Sequence, residues 1–444
     1  MLYEYLKGFM AETPSRTLSD DTRQITYHDL LEQAEALGRE LNQEKYGILC
    51  QSELAAATAL MACFAANKTA VPLSYRYGKT HAQRIIERLQ LSHIITDDGI
   101  QRIAQPAPEP EDLSDVALIM CTSGTTGVPK GAMITKQNLI TNLEDISSYF
   151  ALDRNDHILI TRPLYHCAVL TGEFLISLVK GLNISFSAAA FSPAAWLNAL
   201  KSRNATVFCG TPTTLSHLAS LNLRKKEPVS PRVIAVSGEC MTASAAARLR
   251  EAFPQTLVYH VYGLTEASPR VSFLPPEEFD LCPTSVGRPL PSLRARIVND
   301  ELLVDGKSVM KGYYNDPRAT ASAMPDGWLH TGDLARQDQD GRLYILCRKD
   351  NMIIRSGMNI YPQEIENALR QDLRIDDVLA FGVRDSSSGE KIHLHVVSRL
   401  SKSEVFSICK ERLPAFELPD QIEMVEELPK NASGKVIRQK GRVS

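Results

Sequence analysis

The sequence predicts an α/β protein of parallel-rich sheets covered by helices. Short apolar runs of strand length alternate with longer stretches of helical spacing through the first hundred residues. A second α/β pattern follows a proline-rich connector, and a β-rich stretch comes after that. The 444 residues are too many for one core, so two or three packed units are expected.

Residues 25–41, I-T-Y-H-D-L-L-E-Q-A-E-A-L-G-R-E-L, carry apolar positions at helical spacing after a polar start. Residues 46–50 read as a short strand, 55–66 as a tightly packed small-residue helix, and 70–73 as the next strand. A helix near 81–89 leads into a strand over 92–96. Residues 105–112, Q-P-A-P-E-P-E-D, are expected to form an exposed acidic connector. Strands are then expected at 116–121, 157–161 and 233–236, the last running into Ser237-Gly238-Glu239. Residues 294–314 alternate in short strands with Gly turns, as a β-rich subdomain would. After Arg348-Lys349-Asp350 a mixed α+β pattern runs to the end, without internal repeats or low-complexity tracts.

Hydrophobic residues make up 44% and charged residues 23%, ordinary values for a globular protein. The net charge is -3 with no dense Lys/Arg block, which removes the electrostatic basis for binding nucleic acid or an anionic membrane. No apolar run reaches the ~18 to 20 residues of a membrane span. The start, M-L-Y-E-Y-L-K-G-F-M, lacks the basic flank and apolar centre of a signal peptide, so residence in the cytoplasm is expected. Nine scattered cysteines, never as C-x-x-C, point to neither a disulfide framework nor a zinc site. Cys121, Cys167 and Cys347 lie beside the motifs below, but no activating base marks any of them as a nucleophile.

The chemistry begins at Thr122, where the apolar strand ends in T-S-G-T-T-G-V-P-K-G. Gly124, Gly127 and Gly131 let backbone amides curve around an anion. Thr122, Ser123, Thr125 and Thr126 offer hydroxyls to phosphate oxygens, and Lys130 supplies charge. A polar turn between strands is the plainer alternative for such a loop alone. Lys130 precedes a glycine rather than Ser/Thr, so this is not the G-x-x-x-x-G-K-[ST] loop.

The loop resembles the signature of the adenylate-forming superfamily of acyl- and aryl-CoA ligases, peptide-synthetase adenylation domains and luciferases. Its companions occur in family order. V-Y-G-L-T-E, residues 261–266, resembles the adenine and magnesium motif. The resemblance implies that Tyr262 and Gly263 border adenine, that Thr265 meets the α-phosphate and that Glu266 ligates Mg²⁺. Ser237, Gly238 and Glu239 resemble the segment bordering the adenine. W-L-H-T-G-D-L-A, residues 328–335, places Asp333 on the ribose hydroxyls. C-R-K-D-N-M-I-I-R-S-G-M-N-I-Y-P-Q-E-I-E, residues 347–366, resembles the hinge. There Arg348 would contact ribose or phosphate, Asp350 would be the pivot, and Gly357 would lie on a loop entering the thiol tunnel in the second step. L-P-K-N-A-S-G-K-V-I-R, residues 428–438, places Lys435 as the catalytic lysine. The matches run from Thr122 to Arg438. They imply a large AMP-binding domain, 1–348, and a small mobile C-terminal domain, 349–444. The sequence departs from the family at Asn67-Lys68, Asn299-Asp300 and Cys347, where glycine is usual, and its N-terminal part is short.

By this resemblance the chain binds ATP and Mg²⁺ and activates a carboxylic acid as an acyl-adenylate. It then passes the acyl group to the thiol of CoA or of a phosphopantetheinylated carrier protein, two acceptors the sequence does not separate. P-L-Y-H-C-A-V, residues 163–169, occupies the position beside the substrate carboxylate, where His166 either borders that carboxylate or packs as a core histidine. His166-Cys167-Ala168 offers no Asp to an α-ammonium, so an aryl, acyl or other acid is expected rather than an ordinary α-amino acid. Residues 208–214 and 267–270 are expected to help line the pocket. The rivals are a catalytically silent nucleotide-binding regulator of the same fold and a luciferase-like oxygenase. Joint retention of Lys435, Glu266 and Asp333 argues against the first.

Overall fold

Local chemistry starts the helices. Thr26 accepts from the Asp29 N–H, and the Asp29 carboxylate accepts in return from the Thr26 N–H, a capping box that opens the helix Tyr27–Gly38. The sequence pattern starts this helix two residues too early. A cap residue must leave helical φ/ψ, and Gln24–Thr26 forms an edge strand instead. Ser52 caps Glu53–Ala65, and Thr211 caps Pro212–Asn222 with proline at the first helical position. The structure is a computed structural model. It describes residues 1–76, 79–105, 109–122, 130–187, 192–372, 374–385 and 388–429, with the backbone alone at 79–81.

The chain divides into two compact units. The first comprises residues 1–241, 245–295 and 304–329 and holds two sheets. One has seven strands in the order Gly312–Tyr313, Lys130–Thr135, Val116–Thr122, Thr69–Pro72, Lys45–Ile48, His93–Thr96 and Gly99–Arg102, with a parallel centre from Val116–Thr122 to His93–Thr96. The other has nine, in the order Arg288–Pro289, Arg270–Leu274, Leu257–Gly263, Val233–Val236, Val207–Gly210, His157–Ile160, Asn183–Phe186, Thr17–Ser19 and Gln24–Thr26. The six strands from Leu257–Gly263 to Thr17–Ser19 are parallel. Their residues are buried on both faces, as at Val233, Ile234, Ala235 and Val236, because helices cover both sides.

The second unit comprises 242–244, 296–303 and 330–444. Its C-terminal part is a sheet in the order Met358–Ile360, Ile353–Arg355, Gly389–Ser398 and Ile375–Asp385, with Gln421–Met424 also on Gly389–Ser398. The helices Pro362–Leu369 and Lys402–Arg412 bring Ile365, Leu369, Val405 and Ile408 onto its core. Most of a four-stranded sheet, which includes the antiparallel pair Leu329–Gln337 and Leu343–Arg348, is also grouped here. The architecture is thus the expected α/β fold with a β-rich part and a C-terminal α+β part.

The departures from glycine have a backbone explanation. Asn67 takes φ +59°, and Asn299 and Asp300 take +49° and +62°. Asn and Asp tolerate this region better than other side chains, and consecutive positive values make the tight turn between strands. The connector differs from expectation. Glu109 is half-buried, forms an ion pair with the buried Lys45, and accepts from the Tyr314 hydroxyl at 2.6 Å. Lys45 draws it in, since a buried ammonium needs a counter-charge. Among the described residues no helix is long and apolar enough to cross a membrane.

Gly287 has φ +73°, and a Cβ there would lie 1.7 Å from the Phe273 carbonyl oxygen. Gly8 is exposed within the helix Leu2–Glu12, with nothing within 4 Å of such a Cβ. Gly287→Ala should therefore destabilise by more than about 2 kcal/mol. Gly8→Ala should stabilise by about 0.5–1 kcal/mol. Urea unfolding checks both, and shifts of the same sign would contradict the backbone assignment.

Candidate functional site

Four neighbouring parallel strands of the nine-stranded sheet end next to one another, and the expected site segments leave from those ends. Arg162 to His166 follow His157–Ile160, Thr211 to Thr214 follow Val207–Gly210, Ser237 to Glu239 follow Val233–Val236, and Thr265 and Glu266 follow Leu257–Gly263. Carboxyl ends of adjacent parallel strands are where open α/β sheets bind ligands. At Gly263 the ladder register shifts, and a Cβ would lie 2.1 Å from the Pro269 carbonyl oxygen. The Glu239 carboxylate accepts from the Thr213 hydroxyl at 2.7 Å, tying Ser237-Gly238-Glu239 to the start of Pro212–Asn222.

The phosphate-loop termini meet in a ladder, with Thr122 opposite Lys130. Ser123, Gly124, Thr125, Thr126 and Gly127 lie outside the described residues. Lys130 Nζ stands over the Tyr313 ring, 5.0 Å from its centroid, and the Tyr313 hydroxyl donates to Glu266 Oε1 at 2.8 Å. The Met310 N–H donates to the Glu266 carbonyl at 2.8 Å. The expected phosphate and magnesium residues are thus joined through one tyrosine. Tyr313 lies near the end of the stretch 294–314 read as short strands with Gly turns and was not foreseen as a site residue; its aromatic type was the available signal. Among the described residues no group of three or more His, Cys, Asp or Glu could hold a metal. Glu266 is a half-buried carboxylate with one oxygen held by Tyr313, which suits Mg²⁺ when phosphate oxygens complete the shell.

Burial pushes the His166 imidazole down to about 3, aided by the charges of Arg162 and Arg76, so it is neutral at physiological pH. Its ring lies 4.4 Å from that of Tyr165. Burial pushes the Cys121 and Cys167 thiols up to about 12, with the Glu266 charge adding to the effect at Cys167, so neither is a ready thiolate.

A cleft not foreseen from the sequence lies beside this segment, lined by Glu53, Leu73, Tyr75, Leu164, Tyr165 and Leu170 among others. Glu53 accepts from the Leu164 N–H at 3.0 Å and so holds the loop carrying His166. A single acid opening an otherwise apolar helix, E-L-A-A-A-T-A-L-M, was the signal for it.

In the second unit Asp333 and Arg348 are cross-strand partners. Arg348 Nη1 lies 3.3 Å from Asp333 Oδ1 and donates to the Thr331 carbonyl at 2.8 Å. Lys349 donates to Glu301 at 2.8 Å, and Asp350 is exposed in the short 3₁₀ turn Lys349–Asn351. Gly357, φ +80°, sits at an exposed hairpin tip beside Ser356, φ +52°. Lys435 lies outside the described residues.

Residues 98–314 match the sequence pattern of AMP-binding enzymes, and residues 364–435 that of the AMP-binding enzyme C-terminal domain. The chain is 34% identical over 346 residues to the long-chain-fatty-acid–CoA ligase of Salmonella typhimurium, a match covering 74% of this chain and 61% of that ligase. It is 32% identical over 419 residues to the feruloyl-CoA synthase of an Amycolatopsis species, covering 85% of this chain and 84% of the synthase. Among solved structures, the o-succinylbenzoate CoA synthetase of Bacillus subtilis in complex with its acyl-adenylate intermediate matches with a TM-score of 0.85. The identity is 26%, and 99% of each chain is covered.

Burial pushes the Glu53 carboxyl up from 4.5 to about 7, against the opposing Leu164 N–H and the Arg76 charge. The folded state therefore holds this proton more tightly than the unfolded chain does. Its stabilising contribution is complete below about pH 4.5 and is lost as pH rises through about 7. Glu53→Gln keeps an acceptor for Leu164 and removes the titration. The variant should match the wild type in stability near the lower value and exceed it by ~3 kcal/mol above the higher one. Chemical denaturation at both pH values checks this, and a pH-independent difference would refute it.

Proposed function

The chain belongs to the AMP-binding enzyme family, and from that premise we propose that it is an AMP-forming acid–thiol ligase. It joins a carboxylic acid to AMP with release of pyrophosphate and then transfers the acyl group to CoA. The observation that carries this reading is the meeting of Lys130 and Glu266 through Tyr313, a cation and a carboxylate set for one polyphosphate.

In the first step a carboxylate oxygen bonds to the α-phosphorus as the bond from that phosphorus to pyrophosphate breaks. Two anions must approach in a water-poor site, so the protein's task is positioning and charge compensation. Lys435 bridges the carboxylate and the α-phosphate, and Thr265 donates to the latter. Thr122, Ser123, Gly124, Thr125, Thr126, Gly127 and Lys130 hold the departing phosphates. Glu266 would hold Mg²⁺, which when bound offsets phosphate charge. Tyr262 and Gly263 border the adenine together with Ser237, Gly238 and Glu239, while Asp333 and Arg348 hold the ribose. No protein nucleophile takes part.

In the second step the thiol sulfur attacks the acyl carbon and AMP leaves. The small domain, 349–444, turns about Asp350 and brings the Gly357 loop to the thiol path. The names of the relatives, CoA ligase and CoA synthase, support CoA over a carrier protein. A neutral His166 gives no counter-charge to a substrate ammonium, which supports an acid other than an α-amino acid. Nine free cysteines suit a reducing compartment, and we place the enzyme in the cytoplasm.

Acid-dependent ATP–pyrophosphate exchange against a panel of aryl, fatty and dicarboxylic acids tests the reading, and exchange with none of them would sink it. Lys435→Ala should lower exchange on the order of 10²–10³-fold, while transfer from supplied acyl-adenylate falls much less. Loss of both steps to the same degree would contradict the bridging role.

Proline fixes φ near -65° and removes an amide donor. Asp350→Pro should thus preserve exchange and severely reduce thioester formation. Equal retention of both activities in one preparation would show that Asp350 is not the pivot.

A further inference from the structure

Three charged side chains gather behind the carboxyl edge of the nine-stranded sheet. Arg162 follows the strand His157–Ile160, Glu173 lies in the π-helical turn Leu170–Leu175, and Arg270 opens the strand Arg270–Leu274. Cys209, in the strand Val207–Gly210, is within electrostatic reach of all three. Glu173 is 1% exposed and Arg270 3%.

Arg162 Nη2 donates to Glu173 Oε1 at 2.5 Å. Arg270 Nη2 donates at 3.4 Å to the Gly172 carbonyl, where a Cβ on residue 172 would lie 2.6 Å from the same nitrogen. The glycine thus makes room for the guanidinium. Arg270 Nε and Nη1 are buried with no protein acceptor among the described residues, and so is Arg162 Nε. The Tyr149 hydroxyl lies beside the Arg270 guanidinium, and Glu173 Oε2 is buried in the same cluster without a donor among the described residues.

Two guanidiniums face one carboxylate, so the cluster carries an excess positive charge. A water molecule can accept from Arg270 but leaves that charge uncompensated, and an unpaired buried charge is strongly unfavourable. An ammonium tail would add to the excess, and an apolar tail would do nothing for it. Arg162 directly precedes the 163–169 segment, and Arg270 closes the 267–270 stretch expected to line the acid pocket.

We propose that Arg270 and Arg162 form a subsite for a second anionic group on the acid substrate, a distal carboxylate, so that the enzyme activates one end of a dicarboxylic acid. This rests on the reading of the chain as an acid-activating ligase and names its substrate class. A guanidinium with two donors to spare matches a carboxylate in a planar, two-bond arrangement.

The test compares ATP–pyrophosphate exchange for a homologous series of α,ω-dicarboxylic acids with their monomethyl esters, which keep the length and lose the distal charge. At the best length the diacid should exceed its ester by about tenfold or more in kcat/KM, the size of a charge-assisted hydrogen bond. Arg270→Met should bring the ratio close to one, and Arg270→Lys should restore part of it. Esters matching diacids at every length, or a ratio unmoved in Arg270→Met, would overturn the subsite.

Thermal unfolding gives a second readout that needs no turnover and survives failure of the ligase reading. Without ligand, Arg270→Met should have a higher Tm than the wild type, because it removes an uncompensated buried charge. A diacid should raise the wild-type Tm and leave that of Arg270→Met unchanged. Equal Tm rises with inorganic sulfate and with the diacid would assign the cluster to a free anion and overturn the substrate assignment. Exchange with other acids but no diacid preference overturns this inference alone. Absence of exchange with every acid overturns the ligase reading, and the Tm comparison then decides the subsite separately.

Discussion

The hydroxyl of Tyr313 donates to Glu266, and the ring of the same residue lies under Lys130. Together with the Met310 N–H on the Glu266 carbonyl, this side chain links the outer strands of the seven-stranded sheet, Lys130–Thr135 and Gly312–Tyr313, to the carboxyl edge of the nine-stranded sheet. The ladder pairing of Thr122 with Lys130 sets the loop termini, and Tyr313 brings the Lys130 ammonium and the Glu266 carboxylate onto one side chain. It is a tolerant kind of link. The lysine is held by the ring's quadrupole rather than by an ion pair with Glu266, so its charge remains available to phosphate and the carboxylate keeps its second oxygen.

Behind this edge the first unit accepts charges that a purely structural core would avoid. Glu53 is buried in an apolar cleft, and Arg162, Glu173 and Arg270 sit together behind the strand ends. Each has partners, but not enough to satisfy every polar atom, and such arrangements cost stability. Glu53 lines a cleft with Leu164 and Tyr165, and Arg162 directly precedes the loop 163–169. Buried charges beside the expected acid site are what is expected when recognition, rather than folding, decides those residues.

In the second unit the residues assigned to the ribose are held by regular structure. Asp333 and Arg348 face each other across an antiparallel pair, and Gly332, with φ +69°, leaves room for the guanidinium. The segment assigned to the pivot is by contrast an exposed single turn, anchored through Lys349 to Glu301. If Asp333 and Arg348 hold the ribose as proposed, a rigid pair directly followed by a short exposed turn suits keeping nucleotide bound while the following residues reorient.

Local pattern alone located the central strands and helices. Period and capping chemistry act within a few residues, and so Val116–Thr122, Val233–Val236 and the helix starting after Thr26 were readable to within two residues. Contiguous motifs were readable for the same reason, as with the segments from Thr122 and from Val261. Tertiary structure decided what those motifs touch. Glu53 meets Leu164 across 111 positions and Tyr313 meets Glu266 across 47, distances at which sequence spacing carries no signal. Glu109, read as part of an exposed connector, was claimed by Lys45 and Tyr314 from opposite ends of the domain. The excess charge around Arg270 was likewise invisible, because Arg162, Glu173 and Arg270 become neighbours only when three separate elements close over one another and exclude the water that would have separated them.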